Sequence, residues 1–119
     1  DMVQFGSNAD QWSAADGAMT ILEDGGLSYG VSVGNHDLIN SGSWDTRRDP
    51  AAELYLDFFP EDRAASQMTF RGRDPTGFNE YHLITVSGVR LLVLALDWRA
   101  SSTTLAWARS VLDENPTVP

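Results

Sequence analysis

The stretch "VSVGNHD", residues 31–37, places a short apolar run directly before a glycine and three polar side chains. Asn35, His36 and Asp37 offer an amide oxygen, an imidazole and a carboxylate, which are groups that bind metal ions or transfer protons. Ligands of open α/β sheets bind beyond the carboxyl ends of the strands. The stretch therefore predicts a strand that ends in a functional site.

The residues before this stretch favour an α/β fold. Residues 2–5 are short and mostly apolar, as in the tail of a strand. Asn8 or Asp10 can cap a helix whose apolar side chains recur at helical intervals until a glycine pair ends it. Residues 27–33 are typical of a second strand. The order strand, helix, strand builds parallel sheets, so we expect such a sheet here.

Residues 38–79 are rich in Gly, Ser, Asp, Arg and Pro, and they predict a long irregular segment. One helix is indicated, beginning after Asp49 with Pro50 at its first position and ending at Pro60. Irregular segments of this length are usually functional or partly mobile. The arginines of the segment are expected to be solvated more often than bound to an anionic substrate: Arg47, Arg48, Arg71 and Arg73.

A hairpin and a last helix are predicted in the final third. Residues 80–86 and 89–96 are β-rich runs joined by Ser87 and Gly88. The second run is apolar on both faces, which predicts a strand in the middle of a sheet. Ser101 or Ser102 can then cap a helix that ends near residue 115.

Composition excludes several classes of function. The 119 residues include 17 acidic and 8 basic side chains, so the formal net charge is -9. This charge repels phosphate backbones and anionic bilayers, and we expect neither nucleic-acid binding through a basic surface nor membrane binding. The chain has no cysteine, which removes disulfides, thiolate metal ligands and cysteine nucleophiles and leaves the redox compartment open.

The predicted order of elements brings Asp1 to the same rim as Asn35, from the neighbouring strand. Carboxylate and amide oxygens beside an imidazole suit divalent metals such as manganese, iron, zinc or magnesium. A carboxylate can bridge two such ions, and a metal pair can hold the attacking and leaving oxygens of phosphoryl transfer. Gly34 lets the backbone pass closely beneath the ions.

These residues carry a resemblance to a known family. Residues 34–37, Gly-Asn-His-Asp after an apolar run, resemble the "GNHD/E" motif of the calcineurin-like metallophosphoesterases. Asp1 and the three residues after it resemble the segment of the family's "GD" motif. Residues 81–83 and 89–98 are similar to the stretch that precedes the family's later histidines. The similarity covers nearly all of the chain, and only residues 34–37 are specific.

The resemblance implies a phosphoesterase with two divalent metal ions. Asp1 would be the metal-bridging carboxylate, and Asn35 would bind one ion through its amide oxygen. His36 would donate a hydrogen bond or a proton to the phosphate oxygens or the leaving group, and Asp37 would hold the other nitrogen of His36. A metal-activated water would cleave a phosphomonoester or phosphodiester, in a small molecule or a phosphorylated substrate.

The resemblance also implies that the chain is incomplete. The family's upstream "DxH" and downstream "H" and "GHxH" ligands are missing, and the chain has only two histidines, His36 and His82. We therefore expect residues 1–119 to be the central portion of one catalytic domain, a partial β-sandwich flanked by helices and truncated at both ends. Such a fragment would be inactive alone. The location is undetermined, although the resemblance slightly favours an exported bacterial protein.

A second interpretation stays open, in which the chain is a binding or structural α/β module and residues 34–37 form only a polar turn. His82 alternates with apolar neighbours and is expected to be structural. Asp97 follows the last predicted strand and suits a loop or capping role. A sheet without its neighbours would expose unpaired edges, which predicts association or poor solubility.

Overall fold

The computed structural model describes residues 1–119 as an α/β arrangement of four helices and three strands. The helices are α1 (Ala9–Asp24), α2 (Leu54–Phe58), α3 (Glu61–Ala65) and α4 (Ser102–Glu114), and the strands are β1 (Phe70–Arg73), β2 (Glu80–Val86) and β3 (Val89–Ala95). Two 3₁₀ turns, Asp45–Arg47 and Pro50–Ala52, precede α2. None of the helices combines the length and apolar character needed to cross a membrane.

The two long helices begin at the residues that their sequences predict. Asn8 Oδ1 accepts the N–H of Asp10 at 3.0 Å, and Ser101 Oγ accepts the N–H of Thr104 at 3.3 Å. These hydrogen bonds satisfy donors that a helix start leaves without partners. After α1 the chain turns at Gly26, whose φ of 70° a side chain would disfavour. Local capping signals therefore fix both helices.

The sheet is antiparallel throughout, in the order β1-β2-β3. Strands β2 and β3 form the predicted hairpin, with Val86 opposite Val89. Ser87 (φ 52°) and Gly88 (φ 82°) both have positive φ, the turn geometry that matches the twist of a two-residue hairpin. The hairpin is thus a local feature of the sequence.

The prediction that β3 lies in the middle of a sheet is wrong. It is an edge strand, and Val89 and Val93 are 54% and 43% exposed. Apolar side chains on both faces of a strand normally indicate that other elements pack against both faces of the sheet. In this chain, such packing buries the β3 side chains only in part. Part of the β3 edge is contacted, because Leu92 N donates to Pro119 O at 2.7 Å.

The parallel sheet expected from residues 2–5 and 27–33 does not form. Both segments lack regular secondary structure. Buried or partly buried side chains accept their backbone N–H groups instead: Asp37 accepts those of Met2 and Val3, and Glu80 accepts that of Val31. These side-chain bonds replace the partners that a neighbouring strand would supply.

The same two segments nevertheless supply part of the core. Val3, Val31 and Val33 join five further buried side chains, namely Trp12, Leu38, Tyr55, Phe59 and Phe78. Trp12 of α1 is fully buried and stacks with Phe58 of α2 at a ring separation of 6.1 Å. The core therefore fixes the ends of both segments, which carry the predicted site.

The irregular region contains more structure than the sequence predicts. Asp49 caps a start at Pro50 as expected, but only as a 3₁₀ turn, and α2 begins anew at Leu54. Pro60 separates α2 from α3, and β1 follows. The single helix predicted here is therefore a 3₁₀ turn and one short helix, and α3 is an additional helix beyond the predicted end at Pro60.

Candidate metal centre

Residues 34–37 and the first residues of the chain lie side by side at one edge of the core. The connection is made by Asp37, which is fully buried. Its Oδ1 accepts the N–H groups of Met2 (2.6 Å) and Val3 (3.0 Å), and its Oδ2 accepts that of Gly34 (2.9 Å). One carboxylate therefore holds the two predicted ligand segments together.

A second buried carboxylate fixes the chain just beyond this point. Glu53, only 2% exposed, accepts the N–H of Ile39 at 2.7 Å and that of Asn40 at 3.1 Å. Hydrogen bonds to charged acceptors are stronger than those between neutral groups. The loop at residues 34–40 is therefore held at both ends by buried carboxylates.

The Asp1 carboxylate lies directly against this loop. Its Oδ1 accepts the N–H of His36 at 3.1 Å. A Cβ atom on Gly34 would overlap with Asp1 Oδ1 and lie 2.9 Å from its Cγ, so only glycine allows this approach. The structure thus places Asp1 against the two neighbours of Asn35.

Asn35 and His36 are exposed, as is Asp1. An amide oxygen and a carboxylate at exposed positions can supply oxygen ligands to a divalent cation. No group of three or more His, Cys, Asp or Glu side chains in the chain converges to hold a metal ion.

The predicted contact between Asp37 and His36 is wrong. Both Asp37 oxygens are engaged by backbone N–H groups, whereas His36 Nδ1 lies 2.9 Å from Gln4 O and 3.1 Å from Gln4 Nε2. Burial explains the difference, because Asp37 points inward where unpaired amides need an acceptor. Sequence reasoning missed Gln4, since nothing local indicates that it contacts the imidazole.

His82 is structural in its surroundings, as expected. It is 3% exposed, with Nδ1 3.0 Å from Thr69 Oγ1 and Nε2 3.1 Å from Glu80 Oε1. Burial tends to raise the pKa of Glu80, but hydrogen bonds from His82, Val31 N and Arg73 outweigh burial and lower it. This buried cluster joins β2 to the segment that leads into Gly34.

The expectation of solvated arginines fails for Arg48 and Arg73. Arg48 is 5% exposed and forms a buried ion pair with Asp97. Arg73 pairs with Glu80 at 2.7 Å, with both side chains 3% exposed. Charges at such sites remain buried because they have partners, 49 positions away for Arg48 and seven positions away for Arg73. Asp97 therefore anchors the irregular segment.

A buried hydrogen-bond network links the same segment to α4. Asp45 is 1% exposed and accepts from Thr104 Oγ1 at 2.6 Å, Asn79 Nδ2 at 3.2 Å and Ser101 N at 3.1 Å. Burial acts to raise the pKa of Asp45, yet the bonds from Thr104 and Ser101 lower it overall. The network supports the scaffold.

Comparison with known proteins gives one informative similarity. A protein of Bacillus subtilis (strain 168), described as uncharacterized protein YvnB, is 28% identical to the chain over 116 residues. The match covers 98% of this chain but 8% of that protein, so the chain spans a small part of its relative. No family model matches the chain, and no solved structure matches it.

Proposed function

We propose that the chain forms the central portion of a catalytic domain resembling the calcineurin-like metallophosphoesterases. The longer protein would be a hydrolase that cleaves a phosphomonoester or phosphodiester by metal-activated water. One observation carries the proposal: the Asp1 carboxylate contacts the backbone on both sides of Asn35, at His36 N and at Gly34.

Asp1 and Asn35 would supply two of the oxygen ligands of a dinuclear metal site. Asp1 would bridge two divalent ions, manganese, iron, zinc or a similar metal, and Asn35 would bind one of them through its amide oxygen. When bound, the ions would supply an activated water and neutralise charge on the phosphate. Gly34 supports this fit, because any side chain there would occupy the space of the Asp1 carboxylate.

The chain's other residues have distinct tasks in this proposal. His36 is exposed beside Asp1, and it would donate a hydrogen bond or proton to a phosphate oxygen or to the leaving group. Asp37 would act by position alone, because its carboxylate joins the Asp1 segment to the loop. Small or protein-bound phosphate esters are the proposed substrates.

The remaining metal ligands would come from other parts of the longer protein. His82, the second histidine, is buried against Glu80 and Thr69. We also propose that the three-stranded sheet belongs to a larger β-sandwich flanked by helices. The exposed apolar side chains of the edge strand β3, Val89 and Val93, support this proposal. The isolated chain would bind metal weakly and would not turn over substrate.

Substitution in the longer protein tests the function. His36→Ala should lower kcat about 100-fold or more, since a general acid–base group contributes about 10²–10⁴-fold. Asn35→Ala should lower kcat by removing an oxygen ligand of the proposed metal site. Asn40→Ala, at an exposed asparagine of the same loop, is the matched control and should leave kcat unchanged. Unchanged hydrolysis in both site variants would refute the proposal and favour the binding or structural module.

A further inference from the structure

Gln4 makes two contacts with one nitrogen of His36. The Nδ1 atom lies 2.9 Å from the backbone oxygen of Gln4 and 3.1 Å from its side-chain Nε2. If Nδ1 carries no hydrogen, its lone pair faces the lone pairs of the Gln4 carbonyl oxygen, which is repulsive. If Nδ1 carries a hydrogen, that N–H faces the NH₂ group of the Gln4 side chain, which is also a donor. The two contacts are compatible if Nδ1 carries a hydrogen and the Gln4 amide is turned so that its oxygen faces the ring.

We infer that Gln4 is a positioning residue that holds the His36 imidazole in the tautomer protonated at Nδ1. In this arrangement Nδ1–H donates to both the backbone and the side-chain oxygen of Gln4. The Nε2 atom is then the nitrogen left to face solvent. The inference deepens the proposed function and rests on it for its catalytic meaning, because Nε2, when the ring carries a second hydrogen, would be the nitrogen that donates to the phosphate ester.

The backbone of Gln4 is itself fixed. Gln11 Oε1, in the first turns of α1, accepts the N–H groups of Gln4 and Phe5, both at 2.9 Å. The Gln4 carbonyl therefore has a defined direction before any ligand binds. A neutral amide partner orients the ring without adding a negative charge beside the phosphate.

His82 provides an internal comparison, because its surroundings favour the opposite tautomer. Its Nε2 faces the Glu80 carboxylate at 3.1 Å, and its Nδ1 faces the Thr69 hydroxyl at 3.0 Å. A carboxylate only accepts, so neutral His82 donates from Nε2 and accepts from Thr69 at Nδ1. The chain's two imidazoles should therefore carry their hydrogens on different nitrogens.

Two-bond ¹H–¹⁵N correlation spectra of the neutral rings in the 119-residue chain test this inference. We expect the Nδ1–H pattern for His36 and the Nε2–H pattern for His82. Gln4→Leu removes the side-chain acceptor and should lower the ratio of the two His36 tautomers about fivefold, the worth of one hydrogen bond. Gln4→Glu keeps an acceptor, now a charged one, and should preserve or raise the ratio, and the His82 tautomer should be unchanged in both variants.

The outcomes separate this inference from the proposed function. An Nε2–H pattern for His36 in the unmodified chain would overturn the inference, as would an unchanged ratio in Gln4→Leu. Gln4→Glu behaving as Gln4→Leu would also overturn it. Backbone amide spectra report whether each variant folds, and no catalytic activity is needed. If the longer protein shows no phosphoesterase activity while His36 and His82 have the expected tautomers, only the proposed function is refuted.

Discussion

Replacement of Asp37 tests the structural basis of the candidate site. The buried carboxylate accepts three backbone N–H groups, from Met2, Val3 and Gly34. Asp37→Asn keeps the size but exchanges one oxygen for an NH₂ group. If the remaining oxygen still accepts the N–H groups of Met2 and Val3, the new NH₂ group faces the N–H of Gly34. Two donors then meet, and neither has an acceptor.

The expected loss follows from these contacts. A hydrogen bond to a charged group is worth about 1.5–3 kcal/mol, and an unsatisfied buried donor costs about 1–3 kcal/mol. We therefore expect Asp37→Asn to lower the free energy of unfolding by about 2–4 kcal/mol, and Asp37→Ala by about 4–6 kcal/mol. Domains of this kind are stable by only about 5–15 kcal/mol, so Asp37→Ala would be close to unfolding.

Urea unfolding followed by tryptophan fluorescence measures this loss, with the slope of the transition compared between variants. The matched control is Asp57→Asn at an exposed position of α2, which should change stability by less than about 0.5 kcal/mol. Equal stability of Asp37→Asn and the unmodified chain would refute the role of this carboxylate in joining the two segments.

Two further predictions concern the surroundings of the site. Gly34→Ala displaces the exposed Asp1 carboxylate and should speed hydrogen exchange at the His36 amide with little loss of stability, whereas Gly17→Ala, inside α1 with open space around it, should stabilise the chain by about 1 kcal/mol and leave that exchange unchanged. Slow exchange in Gly34→Ala would contradict the contact. The pKa of Glu80 lies below its usual 4.5, so its stabilising effect is complete above that value and lost as pH falls through the folded-state pKa. The melting temperature of Glu80→Gln should therefore fall less on acidification than that of the unmodified chain. Equal acid sensitivity of the two proteins would argue against a lowered pKa of Glu80.

Local signals in the sequence predict the parts of the fold that local interactions stabilise. The Asn8 cap starts α1, the Ser101 cap starts α4, and Ser87 with Gly88 makes the hairpin. Each involves residues within a few positions of one another, so spacing and residue type are sufficient to identify it.

The failures share a different physical cause. Residues 2–5 and 27–33 have strand-like composition, but a strand needs a backbone partner, and distant side chains supply the acceptors here. Arg48 looks like a solvated loop residue because its partner Asp97 lies 49 positions away. Non-local partners of this kind cannot be read from spacing along one sequence.

The candidate site was predictable only in part. The approach of Asp1 to residues 34–36 follows the expectation that a helix would bring the two segments together. The partners of Asp37 and His36 did not follow, because both depend on which side of the loop faces the core. Asp37 is buried and accepts backbone N–H groups, whereas His36 is exposed and contacts Gln4.

The most direct measurement is anomalous diffraction from crystals of the longer protein grown with Mn²⁺. We expect manganese at about 2.0–2.6 Å from both an Asp1 carboxylate oxygen and the Asn35 amide oxygen, the range of metal–oxygen bonds in such sites. The peak should disappear or weaken in Asn35→Ala. Manganese bound elsewhere, or a site that contacts neither residue, would contradict the proposed metal centre.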